Sequence, residues 1–401
     1  MKEHLAVVDL GYGDAGKGTI VDAICSTSSN IAAVIRFNGG AQAAHNVITE
    51  DGRHHTFAQF GSGTLRGVPT HLSRFMIVDP LALASEARSL GNPFHLLTVD
   101  ADALLATPWH RAANRRREVE RGAERHGSCG MGVGETQMYA LKHPDAPRVA
   151  DVLTPTRLTI KLRALADFYD MSDIPIDDVV DAFVAFGEAV RIVGTEHTDR
   201  LLAAGPCVFE GAQGVLLDEW RGWHPYTTWS TTTFDNIGEL CPSFRRLGVV
   251  RTYTTRHGAG PFVTEAPDLD LPEAHNGRDD WQGAFRTGHF DAVAHRYAVE
   301  VAGGVDALAV THLDAPARCP DLKICTAYRT EGEIWDRIEP GPHRDLAYQE
   351  RLAGKLAKTE PATSHRPVDW KNAISELLGA PVEIESHGPR SSDKRIATLS
   401  K

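Results

Sequence analysis

The first twenty-five residues constrain the fold most. An apolar run at residues 5–10 breaks into Gly11-Tyr12-Gly13-Asp14-Ala15-Gly16-Lys17-Gly18-Thr19, after which apolar residues recur with helical spacing to Cys25. Strand, glycine loop and helix in that order imply a parallel sheet, because a crossover helix returns the chain to the same end of the next strand. The glycines and Lys17 have the GxxxxGK spacing of a P-loop. Glycine lets backbone N–H groups converge on phosphate oxygens, the lysine adds a point charge, and the helix N-terminus adds its dipole. Gly18 stands where that motif has Ser or Thr, so a hydroxyl ligand for Mg²⁺ is missing there and Thr19 need not replace it. Asp14 inside such a loop would be repelled by phosphate unless it binds Mg²⁺ or takes a proton from the attacking substrate.

Further strands are expected at residues 31–37, 75–78, 95–99, 207–210, 249–254 and 307–313, several ending on glycine or a polar residue where α/β sites lie. Residues 158–202 read as mainly helical, residues 111–125 as a mixed-charge helix with a solvated face, and residues 340–367 as a polar, proline-containing surface excursion. The fold class expected is α/β. It has a P-loop-like, mostly parallel central sheet with helices on both faces and a mainly helical subdomain. Residues 1–401 form one unit, with the helical part at about 100–203 and a base-binding C-terminal part at about 305–401. A formal net charge of −11 opposes a broad nucleic-acid footprint and favours small-molecule partners. The six cysteines form no CxxC pair, which suggests neither zinc nor a disulfide framework. No signal peptide and no long apolar span is apparent, so a cytoplasmic protein without membrane association is expected.

The second strand leads into Arg36-Phe37-Asn38-Gly39-Gly40-Ala41-Gln42-Ala43-Ala44-His45. A histidine so close to a phosphate loop can support a phosphoryl group in flight, although taken alone such a residue is more often a structural hydrogen-bonder. Thr311-His312-Leu313-Asp314 ends a later strand, where a carboxylate can accept both edge hydrogens of guanine.

These pieces together resemble the adenylosuccinate synthetase family. The matching segments are GDAGKGTIVD from residue 13, RFNGGAQAAHNV from 36, FGSGTL from 60, FEGAQGVLLD from 209, HPYTTWSTTT from 224, TRHGAGPFVTE from 255, THLD from 311 and HGPR from 387. The resemblance implies a GTP- and Mg²⁺-dependent ligase that phosphorylates a purine-like carbonyl oxygen and then displaces it with an amine. It further implies Asp14 as base and metal ligand, the Ala44 carbonyl as a second metal ligand (the family has glycine there), and His45 as the supporting acid. Lys17, Gly13, Gly16, Gly18 and Thr19 would hold the nucleotide phosphates. Asp314, His312, Gly388 and Pro389 would hold the base, and Gln42, Gln213, Thr228, Ser128 and Cys129 the acceptor. A homodimer is implied as well.

Three positions depart from the family pattern. His312 stands where the family has lysine. Ser128-Cys129-Gly130-Met131 replaces a threonine pair and an arginine of the acceptor-phosphate site, and the arginine supplied by the family's second subunit has only Lys142 or His143 as a stand-in. Before Thr287-Gly288 the amine loop reads Asp279-Asp280-Trp281-Gln282-Gly283-Ala284-Phe285-Arg286 in place of threonines and a run of arginines, leaving Trp281, Phe285 and Arg286 to meet the amine. The expectation is therefore a ligase with altered acceptor or amine. Its alternatives are a synthetase acting on IMP and aspartate whose site is rebuilt by cations elsewhere, such as Arg278 or Arg221, a phosphotransferase, and a non-catalytic nucleotide-binding regulator.

Overall fold

The computed structural model describes all residues except 123, 124, 126, 272, 274–277, 280 and 398–401, and of residues 278 and 279 only the backbone. Ten strands form the central sheet: β1 (Leu5–Asp9), β2 (Ala33–Arg36), β3 (Thr70–Leu72), β4 (Leu97–Asp100), β5 (Arg191–Val193), β6 (Cys207–Glu210), β7 (Arg245–Arg251), β8 (Ala307–Thr311), β9 (Val382–Ser386) and β10 (Lys394–Ile396). Their order across the sheet is β10-β9-β8-β7-β1-β6-β2-β3-β4-β5. All pairings are parallel except that of β10, an antiparallel edge.

The inner strands β1, β2, β6 and β8 are mostly apolar and fully buried because both faces are covered, as parallel sheets require. Ala6, Val8, Ile35, Phe209 and Val310 point into one core, which includes the helix Ala292–Val301; their neighbours Val7, Val34, Val208 and Ala309 point into another, which includes α1 (Lys17–Thr27). A third core joins the β3–β4 end of the sheet to the helical part, α2 (Pro80–Ser89), α3 (Pro108–Arg121), α4 (Val133–Lys142), α5 (Pro155–Tyr169) and α6 (Ile176–Ala189), followed by α7 (Glu196–Ala204). Trp109 of α3 is fully buried there and its indole N–H donates to the Met171 carbonyl at 2.9 Å. Burying such a ring contributes about 2–3 kcal/mol relative to exposure. Among the described residues no helix is long and apolar enough to cross a membrane.

Two expectations need correction. The run at 75–78 supplies only Ile77–Val78, paired with Leu104–Leu105 outside the central sheet, and β3 takes its place. The polar sequence Thr-His-Leu hid that strand, and His71 is tolerated in it because its ring nitrogens meet the hydroxyls of Thr98 and Thr198 at 3.0 and 3.2 Å. Residues 340–367 are not a loose excursion. They hold a helix, Leu346–Leu356, capped by Asp345, and a strand, Glu360–His365, paired antiparallel with Ile324–Thr330. The mixed-charge face of α3 is exposed at Arg115, Arg116, Glu120 and Arg121, while Arg111, Arg117 and Arg121 each pair with a carboxylate, of Asp79, Glu135 and Glu118.

Candidate active site

The loops from residues 10, 37, 211, 312 and 387 leave the carboxyl ends of β1, β2, β6, β8 and β9, where an open α/β sheet presents its ligands. The loop after β1 turns through Gly13, Asp14 and Gly16 with φ of 92°, 60° and 94°. The amides of Gly11 and Ala15 do not point at open space. They donate to the two carboxylate oxygens of Asp9, at 2.8 and 2.9 Å, and the Lys17 ammonium joins them at 3.0 Å. Asp9 is fully buried and Lys17 nearly so. A desolvated ammonium needs such a partner, so in this structure Lys17 lies on an internal carboxylate that also closes the loop. The motif's departure at Gly18 has a steric cause: a β-carbon there would lie 2.7 Å from Cβ of His45. Thr19 turns its hydroxyl to the Pro389 carbonyl at 2.7 Å, so the start of α1 and the C-terminal loop are brought together.

Asp14 is half-buried, its carbonyl receives the Arg251 Nε–H at 2.7 Å, and no described residue hydrogen-bonds its carboxylate. Ala44 is exposed just before His45. A carboxylate and a backbone carbonyl are hard oxygen donors suited to Mg²⁺, which keeps waters and substrate phosphates as its other ligands. In keeping with so open a donor set, no group of three or more His, Cys, Asp and Glu among the described residues is placed to cage a metal.

His45 is buried, and its Nδ1 lies 2.6 Å from Oε1 of Glu210 at the end of β6. Glu210 in turn accepts the Ser62 amide at 2.9 Å and the Ser62 hydroxyl. Burial raises the Glu210 pKa, but His45, Arg36 and Ser62 outweigh it and hold the carboxyl at about 2. Burial likewise dominates at His45 and lowers its pKa, against the opposing pull of Glu210. The resting pair is thus a neutral imidazole donating Nδ1–H to a carboxylate, with Nε2 left for chemistry. Sequence reasoning missed Glu210 as a partner, although an acid closing the apolar strand of FEGAQG was a signal for it.

On the acceptor side, Gln213 has φ 61° and its Nε2 donates to the Thr228 hydroxyl at 2.8 Å. Its Oε1 and both amide atoms of Gln42 are buried without a partner, and both side chains border Gly39. Orphaned buried amides that converge on one place mark a site for a polar ligand. Ser128 instead exchanges hydrogen bonds with Asn114 at 2.8 and 2.9 Å. Cys129 beside it is half-buried.

The amine loop meets this region directly. A β-carbon at Gly130 would lie 3.0 Å from the Trp281 ring, so the indole lies on that glycine. Arg286 is committed locally: it makes a two-point ion pair with Glu265 and donates to the Gly258 and Gly260 carbonyls, both at 3.0 Å. Phe285 meets His257 edge-on, with ring centroids 5.3 Å apart. Of the cations expected to rebuild the site, Arg221 donates to the Gly341 carbonyl at 3.1 Å, and the side chain of Arg278 lies outside the described residues. Lys142 is exposed and His143 is stacked on Tyr139.

At the base site His312 adopts φ 56°, with Nδ1 3.1 Å from the Thr311 hydroxyl and its ring edge-on to Tyr253. Burial, then the charges of Arg251, Lys394 and Arg318, push its pKa well below the usual value, so the ring is neutral. Asp314 pairs with Arg318 at 2.5 Å. Lys394, which the sequence did not single out, donates to the Gly388 and Arg390 carbonyls at 2.7 and 2.9 Å and so holds the HGPR loop; burial lowers its pKa to about 8.

Comparison with known proteins adds ancestry to this geometry. The family model described as adenylosuccinate synthetase matches residues 6–394. The adenylosuccinate synthetase of Marinomonas sp. (strain MWYL1) is 31% identical over 428 residues, covering 97% of both chains. That of Alkalilimnicola ehrlichii is 31% identical over 437 residues, covering 97% of this chain and 96% of the relative. Among solved structures, the fully ligated adenylosuccinate synthetase of Plasmodium falciparum superposes with a TM-score of 0.83 at 20% identity, covering 98% and 99% of the two chains. A succinoaminodeoxyadenylate synthetase of cyanophage S-2L, bound to dGMP and to dATP as an energy donor, gives 0.66 at 19% identity, covering 99% and 96%.

Proposed function

The chain belongs to the adenylosuccinate synthetase family, whose members are GTP-dependent ligases that form a C–N bond, and from that premise we propose that it retains phosphoryl activation while acting on an altered acceptor, amine or both. One observation carries the reading. Asp14 and the His45–Glu210 pair are assembled at the phosphate loop, whereas the amine loop presents Trp281, seated on Gly130, where the family is cationic.

In the proposed reaction Asp14 removes the proton from an amide-like N–H of the acceptor, and the resulting oxyanion attacks the γ-phosphorus as its bond to the bridging oxygen breaks. Asp14 and the Ala44 carbonyl would hold Mg²⁺, which supplies charge neutralisation on the phosphates when bound. The lowered pKa of His45 keeps its ring neutral at rest; an arriving polyanion favours the protonated form, so His45 gains at Nε2 the proton that it then directs at the transferring group, with Glu210 fixing the ring. The amine nitrogen next attacks the activated carbon, the C–O bond breaks, and inorganic phosphate leaves with the oxygen. Gln42, Gln213 and Thr228 are suited to orient the acceptor, and Asp314, His312, Gly388 and Pro389 the nucleotide base. The neutral His312 in the lysine position makes donor choice part of the question, since a cyanophage relative was solved with dATP as energy donor.

The test is phosphate release by the purified protein with Mg²⁺ and GTP or ATP, offering IMP with aspartate, each alone, and a panel of other amines with nucleosides and nucleotides. Turnover with a pair other than IMP and aspartate is the expected result. Efficient turnover with IMP and aspartate alone, forming adenylosuccinate, would establish the housekeeping reaction instead, a reading favoured by the full-length match to such enzymes.

A further inference from the structure

Two segments that depart from the family's motifs, residues 128–131 and 279–286, are in contact. Gly127, Gly130 and Gly132 all have positive φ, at 78°, 68° and 80°, so the loop before α4 exposes its backbone closely. The Trp281 indole fills the space over Gly130, and a β-carbon at Gly127 would lie 3.4 Å from the Gln282 carbonyl oxygen. Two guanidinium groups lie over that indole: Arg115 of α3 with Cζ 5.3 Å from the ring centroid, and Arg125 at 6.0 Å. Arg115 is tied to the loop itself, its Nε donating to the Gly130 carbonyl at 3.2 Å. It is exposed, and unlike Arg111, Arg117 and Arg121 it pairs with no carboxylate among the described residues.

We infer that Arg115, positioned on Trp281 and assisted by Arg125, is the specificity determinant that reads an anionic tail of the acceptor, a phosphate monoester or carboxylate, at the glycine loop of residues 127–132. The inference rests on the ligase reading above. The chemistry is direct. A guanidinium held over an indole face keeps its charge, so it is held ready without being neutralised. The glycine loop leads into the amino end of α4, whose dipole favours a negative charge. Removal of family arginines from the loop and the amine site is thereby matched by a cation arriving from α3, and Trp281 serves as its platform, not as a wall of an amine pocket.

The experiment is calorimetric binding of IMP and of inosine, which differ only in the phosphate, to the full chain and its variants. The wild type is expected to prefer IMP. R115A should weaken IMP about ten- to a hundredfold, the loss of one charge-assisted contact, and leave inosine unchanged, which also certifies the fold. R115K should recover part of the preference and W281A should reduce it. Affinity for IMP no greater than for inosine in the wild type, including no measurable binding of either, overturns the inference, as does an equal loss of both ligands in R115A. Loss of the IMP preference with phosphate release intact removes the arginine reader and leaves the ligase standing; an IMP preference without phosphate release from any pair does the reverse.

Discussion

The donor half of the site and its acceptor–amine half are built on different physical terms. Around β1, β2 and β6, Lys17, His45 and Glu210 are buried and held by partners: Lys17 by Asp9, His45 by Glu210, Glu210 by Ser62. Around residues 127–132 and 281–286 the contacts come from glycine turns, an indole laid on a glycine and guanidinium groups over its face, that of Arg115 exposed. Groups held by buried networks cannot be exchanged singly, because each removal leaves a desolvated partner. Stacked and exposed groups can be replaced at little cost, and two of the segments that depart from the family's motifs, residues 128–131 and 279–286, lie there.

That contrast can be broken at several points. Asp14→Ala and His45→Ala should each lower substrate-dependent phosphate release by about a thousandfold or more, with nucleotide binding kept; normal turnover of either variant in a steady-state assay would remove the donor half's assigned chemistry. Asp9→Asn leaves Lys17 buried without its counter-charge, and should lose about 3–5 kcal/mol of stability in urea unfolding; a loss below about 1 kcal/mol would mean that the pair behaves like a surface ion pair. Glu210→Gln keeps the shape but not the charge. Its turnover should fall about a hundredfold, and because a negative neighbour raises an imidazole's pKa, the His45 titration followed by NMR should move further down, not up. The smallest effect belongs to the other half: Trp281→Ala should change unfolding free energy by under about 1 kcal/mol, so a loss of several would place that indole in a core and not on a replaceable platform.

Legibility followed the same division. The β1 loop, the strand at residues 207–210 and the placement of His45 beside the phosphate loop follow from local pattern, since an apolar run, glycine spacing and helical periodicity are properties of neighbouring residues. The destination of Lys17 was not legible. GxxxxGK gives the loop's shape, but Asp9 lies outside the motif and competes for the ammonium once both are desolvated. Residues 340–367 misled because polarity alone does not distinguish a loop from a sheet-edge strand whose hydrogen bonds go to Ile324–Thr330.

The sequence by itself determined that a strand, a glycine loop and a helix begin a parallel sheet, and which residue types are candidates to meet a nucleotide. Only the tertiary structure decided that Glu210, 165 residues from His45, holds its ring, that Asp9 occupies Lys17, and that Trp281 meets Gly130 beneath Arg115. The physical reason is that periodicity and turn chemistry act over a few bonds, whereas a buried charge or an aromatic face takes whichever distant partner the packed core brings within reach.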